Sequence, residues 1–113
     1  MTMLIRIVKM TFNLSEVENF QKLFEHNKNN IRNFKGCQHL ELLQDINEKN
    51  IFFTYSYWKN EAALENYRHS ALFKEVWTNT KKMFSGKPEV WSVMRSGDWA
   101  KKGEKENLLK PEH

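Results

Sequence analysis

A chain of 113 residues, 40% of them hydrophobic and 13% aromatic, is sized for one folded domain, which excludes a two-domain architecture and a disordered chain. Its single cysteine, Cys37, excludes an internal disulfide and a thiolate metal cluster, and no stretch approaches the ~20 apolar residues of a membrane span. The net charge of +4 comes from scattered cations and a basic tail (Lys101, Lys102, Lys105, Lys110) rather than from one cationic face, which argues against nucleic acid as a partner.

Met1 to Phe12 is too short, and too interrupted by Arg6 and Lys9, to act as a signal peptide, so a reducing, cytoplasmic setting is expected. Eight Phe, four Trp and three Tyr are more rings than one small core needs. The excess points to a second apolar surface, either a dimer interface or a ligand cavity.

From Met3 to Phe12 the apolar residues Leu4, Ile5, Ile7, Val8, Met10 and Phe12 fall on both faces of an extended strand, as in a strand covered on both sides. Ser15 then opens a helix, with Glu18 completing an S-x-x-E capping box. Its stripe is Val17, Phe20, Leu23, Phe24 and Ile31, and Gly36 stops it. Cys37 to Asp45 reads as a second strand, Ile46 to Asn50 as a hairpin turn, and Ile51 to Trp58 as a third strand of β-branched and aromatic composition. On that strand Ile51, Phe53, Tyr55 and Tyr57 share one side, while Phe52, Thr54, Ser56 and Trp58 share the other.

Asn60 caps a second helical segment running to about Phe84 with a bend near Ser70; Gly86 and Pro88 end it, and Glu89 to Arg95 makes the last strand. The order β-α-β-β-α-β predicts an α+β, ferredoxin-like fold: one antiparallel sheet with both helices on one face. Residues 1–97 form the domain, and 98–113 a charged tail in which Trp99, Leu108 and Leu109 could dock on a partner. A second copy of the sheet is the simplest cover for the aromatic open face, so a homodimer is expected.

Standard catalytic and nucleotide-binding motifs are absent, and no two of His26, His39, His69 and His113 stand at metal-ligand spacing. His39 and His69 are candidate acid/base groups, since imidazole titrates near neutral pH. The denser cluster is aromatic: Tyr55, Tyr57, Trp58, Tyr67, Trp77 and Trp91. Rings with hydroxyl and indole donors are the usual lining of a site for a flat apolar ligand.

The segment Phe53 to Trp77, FTYSYWKNEAALENYRHSALFKEVW, resembles the antibiotic biosynthesis monooxygenase family. The family signature is an aromatic strand end, a short turn and A-x-L…S-x-x-F on a helix. Here these are Tyr57-Trp58, Lys59-Asn60, Ala62-Ala63-Leu64, and Ser70 followed by Phe73, and the element order matches from Met3 to Arg95. The resemblance implies a dimer whose sheets pack into an α/β-barrel, with a ligand cavity between sheet and helices. It also implies oxygenation of electron-rich phenols or quinols without metal or flavin, the substrate anion itself passing an electron to O2. Heme-degrading members carry an Asn, a Trp and a heme-ligating His where this chain has Val8, Tyr67 and Trp77, so that branch is not implied. Many members also carry a histidine immediately before the helix Phe, where this chain has Leu72.

The expectation is therefore a cofactor-independent monooxygenase for a small aromatic, phenolic or quinol-like molecule. Tyr57, Trp58, Tyr67, His69 and Trp77 would line the cavity, with His69 or Tyr67 handling the proton, and with no metal, flavin or heme. The alternative is a non-catalytic dimeric module that binds a small apolar or aromatic ligand. A buried, polar-paired titratable group in the cavity separates the two. A nucleic-acid module on the bare sheet is disfavoured because the strand Ile51 to Trp58 carries no Arg or Lys.

Overall fold

Alternation along the first strand decides how the sheet is used. In the computed structural model, which describes residues 3–99, β1 (Leu4–Thr11) is followed by a 3-10 turn (Leu14–Glu16) and α1 (Val17–Arg32). Then come β2 (Cys37–Gln44), β3 (Ile51–Trp58), α2 (Glu61–Arg68), α3 (Ala71–Lys81) and β4 (Glu89–Val93). The four strands form one antiparallel sheet in the order β2-β3-β1-β4, the α+β ferredoxin-like arrangement expected from the element order. Among the described residues no helix is long and apolar enough to cross a membrane.

Helix α1 departs from the expected start. The capping box of Ser15 and Glu18 does not form, because Leu14–Glu16 takes a 3-10 turn that leaves Ser15 short of the helix; Glu16 occupies the N-cap position without a side-chain bond to the helix backbone. Asn13 instead holds this corner, its amide donating to the carbonyls of Met83 and Phe84. At the other end the loop needs a glycine twice over. Gly36 has φ +92° and a Cβ there would lie 2.4 Å from Ala63 Cβ, so only a residue without a side chain lets α2 approach this closely. Lys59 N–H donates to the Gly36 carbonyl at 2.8 Å and locks the junction.

The second helical segment is two helices. Asn60 caps α2, accepting from Ala63 N–H at 2.8 Å, and Ser70 caps α3, accepting from Phe73 N–H at 3.1 Å. The Ser70 hydroxyl also donates to the Tyr67 carbonyl at 2.6 Å, satisfying backbone groups that a helix break would otherwise orphan. The β2–β3 turn is organised by Asp45, which the sequence reading left at a strand end. Its carboxylate accepts from the backbone N–H of Asn47 and Glu48, and these bonds pull its pKa below the usual carboxylate range.

The helix-side core divides into two clusters. One is Met10, Phe12, Val17, Phe20, Phe52 and Met83; the other is Ile31, Cys37, Trp58, Leu64 and Tyr67. All five residues of β4, by contrast, are exposed, as suits a strand at the edge of the sheet. The expected charged tail begins at the edge of the described region. Trp99 is exposed, and Leu108 and Leu109 lie outside the described residues.

Candidate functional site

Between the two core clusters the sheet and helices enclose a cavity of about 230 Å3. That exceeds the ~150 Å3 apolar cavity that accommodates a benzene and is smaller than the ~300–1,000 Å3 of drug-sized sites. A flat molecule of one or two fused rings matches it. Its walls come from every element of the fold: Val8 and Arg6 of β1, Leu40 of β2, Ser56 and Trp58 of β3, Phe20 of α1, Tyr67 of α2, Trp77 of α3 and Val90 of β4 among them. Val90 is exposed, so the cavity opens at the β4 edge, where no helix covers the sheet.

A chain of rings lines the space. Trp58 and Tyr67 stack with centroids 4.9 Å apart, Phe73 stands edge-on to Tyr67 at 5.2 Å, and Trp77 stacks on Phe73 at 5.9 Å. The break at Ser70 is what allows this, turning the end of α2 and the start of α3 toward one space. Trp58, 1% exposed, has its indole N–H satisfied by Ser56 Oγ at 3.0 Å. Tyr67 is 9% exposed, and burial, with a smaller contribution from Cys37, pushes its pKa far above the ordinary phenol value. No hydrogen bond joins its hydroxyl to a protein group among the described residues, yet no fully buried side-chain polar atom there lacks a partner. The Tyr67 hydroxyl therefore keeps an accessible side, and Tyr67 lines the cavity. It is a protonated donor without a protein acceptor among the described residues.

The family model for antibiotic biosynthesis monooxygenases matches residues 3–78. The chain belongs to the antibiotic biosynthesis monooxygenase family. Solved structures agree on the fold. A conserved protein from Methanosarcina mazei Go1 superposes with a TM-score of 0.78 at 19% identity, covering 82% of this chain and 92% of that one. A protein from Nitrosomonas europaea described as an antibiotic biosynthesis monooxygenase gives 0.79 at 14% identity, covering 84% and 91%. One from Pseudomonas aeruginosa gives 0.75 at 20% identity, covering 84% and 95%. At these identities the likeness shows the fold alone. No match is found among curated proteins.

Of the five residues expected to line the cavity of this family member, the structure brings together Trp58, Tyr67 and Trp77. Tyr57 is not among them. It neighbours Trp58 on a strand, so its side chain leaves by the opposite face, where it lies against His39 and Tyr55 with ring centroids 4.9 Å and 5.2 Å away. His69 is not there either. It caps the C-terminus of α2, two residues and about 200° of helix rotation beyond the inward Tyr67. Its side chain is 77% exposed and sits 3.4 Å from Glu65. The cavity positions expected for Tyr57 and His69 are corrected on these grounds. His39 also faces away from the cavity, paired with Glu41 on the open face.

Val8, Tyr67 and Trp77, the positions that distinguish the heme-degrading branch, all lie on the wall of this one cavity. They do not suit heme. Val8 has no amide, and the indole N–H of Trp77 is a donor that cannot ligate iron. Among the described residues no group of three His, Cys, Asp or Glu side chains could hold a metal ion.

The two charged lining residues, Arg6 and Arg68, escaped the sequence reading. The signal for Arg6 was present: it shares strand parity with Leu4, Val8, Met10 and Phe12, so the pattern puts a charge on the helix-facing side of a central strand. Arg68 follows Tyr67 directly and had no comparable signal.

Proposed function

We propose that this protein is a cofactor-independent monooxygenase for a small aromatic, phenolic or quinol-like molecule held between Trp58, Tyr67 and Trp77. The observation that carries the reading is the ring-lined cavity of about 230 Å3 in a chain of the antibiotic biosynthesis monooxygenase family. The substrate is its own reductant. A ring methylene or C–H carbon of the ionised substrate passes electrons to O2, one oxygen atom enters the ring as a carbonyl, and the other leaves as water. The protein supplies orientation and a dry, apolar enclosure. Tyr67, which holds its proton, donates a hydrogen bond to the substrate oxyanion. A substrate that arrives ionised needs no base on the wall, in keeping with His69 lying outside.

The binding-module reading is favoured by one observation. Among the described residues the titratable side chains on the wall are Tyr67, Arg6 and Arg68, and none of them is a proton acceptor near neutral pH. Oxygen-electrode measurements with small quinols and polyphenols decide between the two. Substrate-dependent O2 uptake that falls in Tyr67→Phe supports the enzyme; saturable binding with no uptake for any of them supports the module.

The homodimer belongs to the same proposal. The helices cover one face of the sheet, while the other carries the Tyr55–Tyr57–His39 ring cluster and the exposed Leu43, Trp91 and Val93. Stable interfaces of this kind bury on the order of 2,000 Å2 or more, and light scattering at micromolar concentration should give twice the chain mass. A reducing, cytoplasmic setting is supported by Cys37, buried as a free thiol whose pKa is raised by its burial.

A further inference from the structure

Ring stacking accounts for the apolar wall of the cavity and leaves its two cations without a role. Arg6 lies on the helix-facing side of the central strand β1, opposite Ser56 on β3 and Ser92 on β4. Both flanking side chains are small, so the guanidinium can lie over the sheet rather than be pushed off it. Its side-chain bond is to a neutral group: Nη1 donates to Ser92 Oγ at 2.7 Å. None of the ion pairs among the described residues includes Arg6. A partly buried cation is normally matched by a carboxylate, because desolvation is otherwise uncompensated.

The second cation makes the imbalance larger. Arg68, in the last turn of α2, lines the same cavity, and its carboxylate partner is Glu65 on its own helix at 2.8 Å. Burial, and then the charge of Arg68, push the pKa of Arg6 down, with Glu65 offsetting part of this. The cavity wall thus carries two positive groups, one of them outside any ion pair among the described residues, and the hydroxyl-bearing ring of Tyr67. All three are hydrogen-bond donors; Arg6 is held by the neutral Ser92 and Arg68 by Glu65, while no protein group among the described residues accepts from the Tyr67 hydroxyl.

We propose that the cavity is built for a planar aromatic carboxylate, its ring among Trp58, Tyr67 and Trp77 and its carboxylate on Arg6, with Arg68 contributing from the mouth. This rests on the reading of the cavity as an aromatic ligand site and adds the charge of the ligand to it. A carboxylate fits better than a larger oxyanion because one guanidinium fork matches its two oxygens in a plane, and the small cavity leaves little volume beyond the ring. The carboxylate points toward the β4 edge, where Ser92 is exposed and the cavity opens, so it need not be stripped of all its water.

The test compares 2-naphthoate with its neutral counterpart 2-naphthylmethanol, titrated at pH 7 against wild type, Arg6→Met and Arg68→Met by calorimetry, with thermal melts to verify folding. Wild type should bind naphthoate about ten- to a hundred-fold more tightly than the alcohol, the range of a hydrogen bond to a charged group. Arg6→Met should abolish that preference, with the affinity for naphthoate falling to that for the alcohol. Arg68→Met should lower it only a few-fold, as suits an exposed charge already paired. If Arg6→Met does not fold, wild type alone decides through the ratio of the two affinities and its decline with salt, which only the anion should show. Equal affinities in wild type, or a preference that survives in a folded Arg6→Met, would overturn the proposal while leaving the aromatic cavity intact. If neither compound binds, the cavity reading fails and the proposal falls with it.

Discussion

The two halves of the helix-side core use aromatic rings in opposite ways. At one end Phe12 stacks on Phe20 at 4.1 Å and meets Phe52 edge-on at 5.8 Å, with Phe20 and Phe52 5.3 Å apart; Phe12 and Phe52 are 0% and 1% exposed. These rings carry no polar atom and can close on one another from any side. At the other end the principal rings are Trp58 and Tyr67, each with a donor that must be directed somewhere. The Trp58 donor goes to Ser56, a residue too small to fill the space beneath it, and the Tyr67 donor goes to no protein group. The phenylalanine cluster packs solid, and the cavity lies between it and the second cluster, with Phe20 on one side and Trp58 and Tyr67 on the other. The aromatic excess of the sequence thus resolves into a stabilising cluster and a cavity wall, and polar atoms on the rings mark which is which.

Breaking the solid half should have the largest effect. Phe52→Ala removes a fully buried ring, and core truncations of this size cost about 3–5 kcal/mol. Urea unfolding should show the midpoint falling sharply, and a loss below ~1 kcal/mol would mean that the phenylalanine cluster is not the stabilising one.

Tyr67→Phe sharpens the contrast from the other side. Because the hydroxyl has no protein partner to orphan, unfolding free energy should stay within about 0.5 kcal/mol of wild type. Turnover of a phenolic substrate should fall tenfold or more, as expected when one donor to a developing oxyanion is lost. A stability loss above ~1.5 kcal/mol without a change in turnover would instead make Tyr67 an ordinary core residue.

The smallest effect is expected at His69→Ala. An exposed side chain outside the cavity should change stability by no more than about 0.5 kcal/mol and leave turnover unaltered. A hundred-fold drop, the signature of a lost general base, would show that His69 reaches the substrate by a rearrangement of the α2–α3 junction.

Much of this fold was legible residue by residue. The strand Ile51–Trp58 announced itself because β-branched and aromatic residues run its whole length between turn formers, and its bounds coincide with the structure. Asn60 and Gly36 were readable because a cap and a left-handed stop are local demands. The capping box at Ser15 was misleading, since a tertiary tie from Asn13 to the end of the second helical segment sets how α1 begins. In the cavity, Trp58, Tyr67 and Trp77 come together as expected from composition and from the family resemblance. Tyr57 was lost to parity alone: two adjacent strand residues cannot face one space, a constraint contained in the sequence itself. His69 depended on where α2 ends, which propensity does not resolve to one residue. Arg6 was visible as a charge on the apolar parity of β1, but its meaning required knowing that its side chain bonds the neutral Ser92 and enters no ion pair among the described residues.

The central claim is that the cavity between the two core clusters, and not the ring cluster on the open sheet face, receives the ligand. Both surfaces are aromatic, so composition cannot separate them. Titrating 2-naphthylmethanol into protein labelled at its aromatic side chains and following the NMR shifts separates them directly. The account predicts saturable shifts at Trp58, Tyr67 and Trp77 with Tyr55 and Tyr57 unmoved; shifts confined to Tyr55, Tyr57 and Trp91 would contradict it.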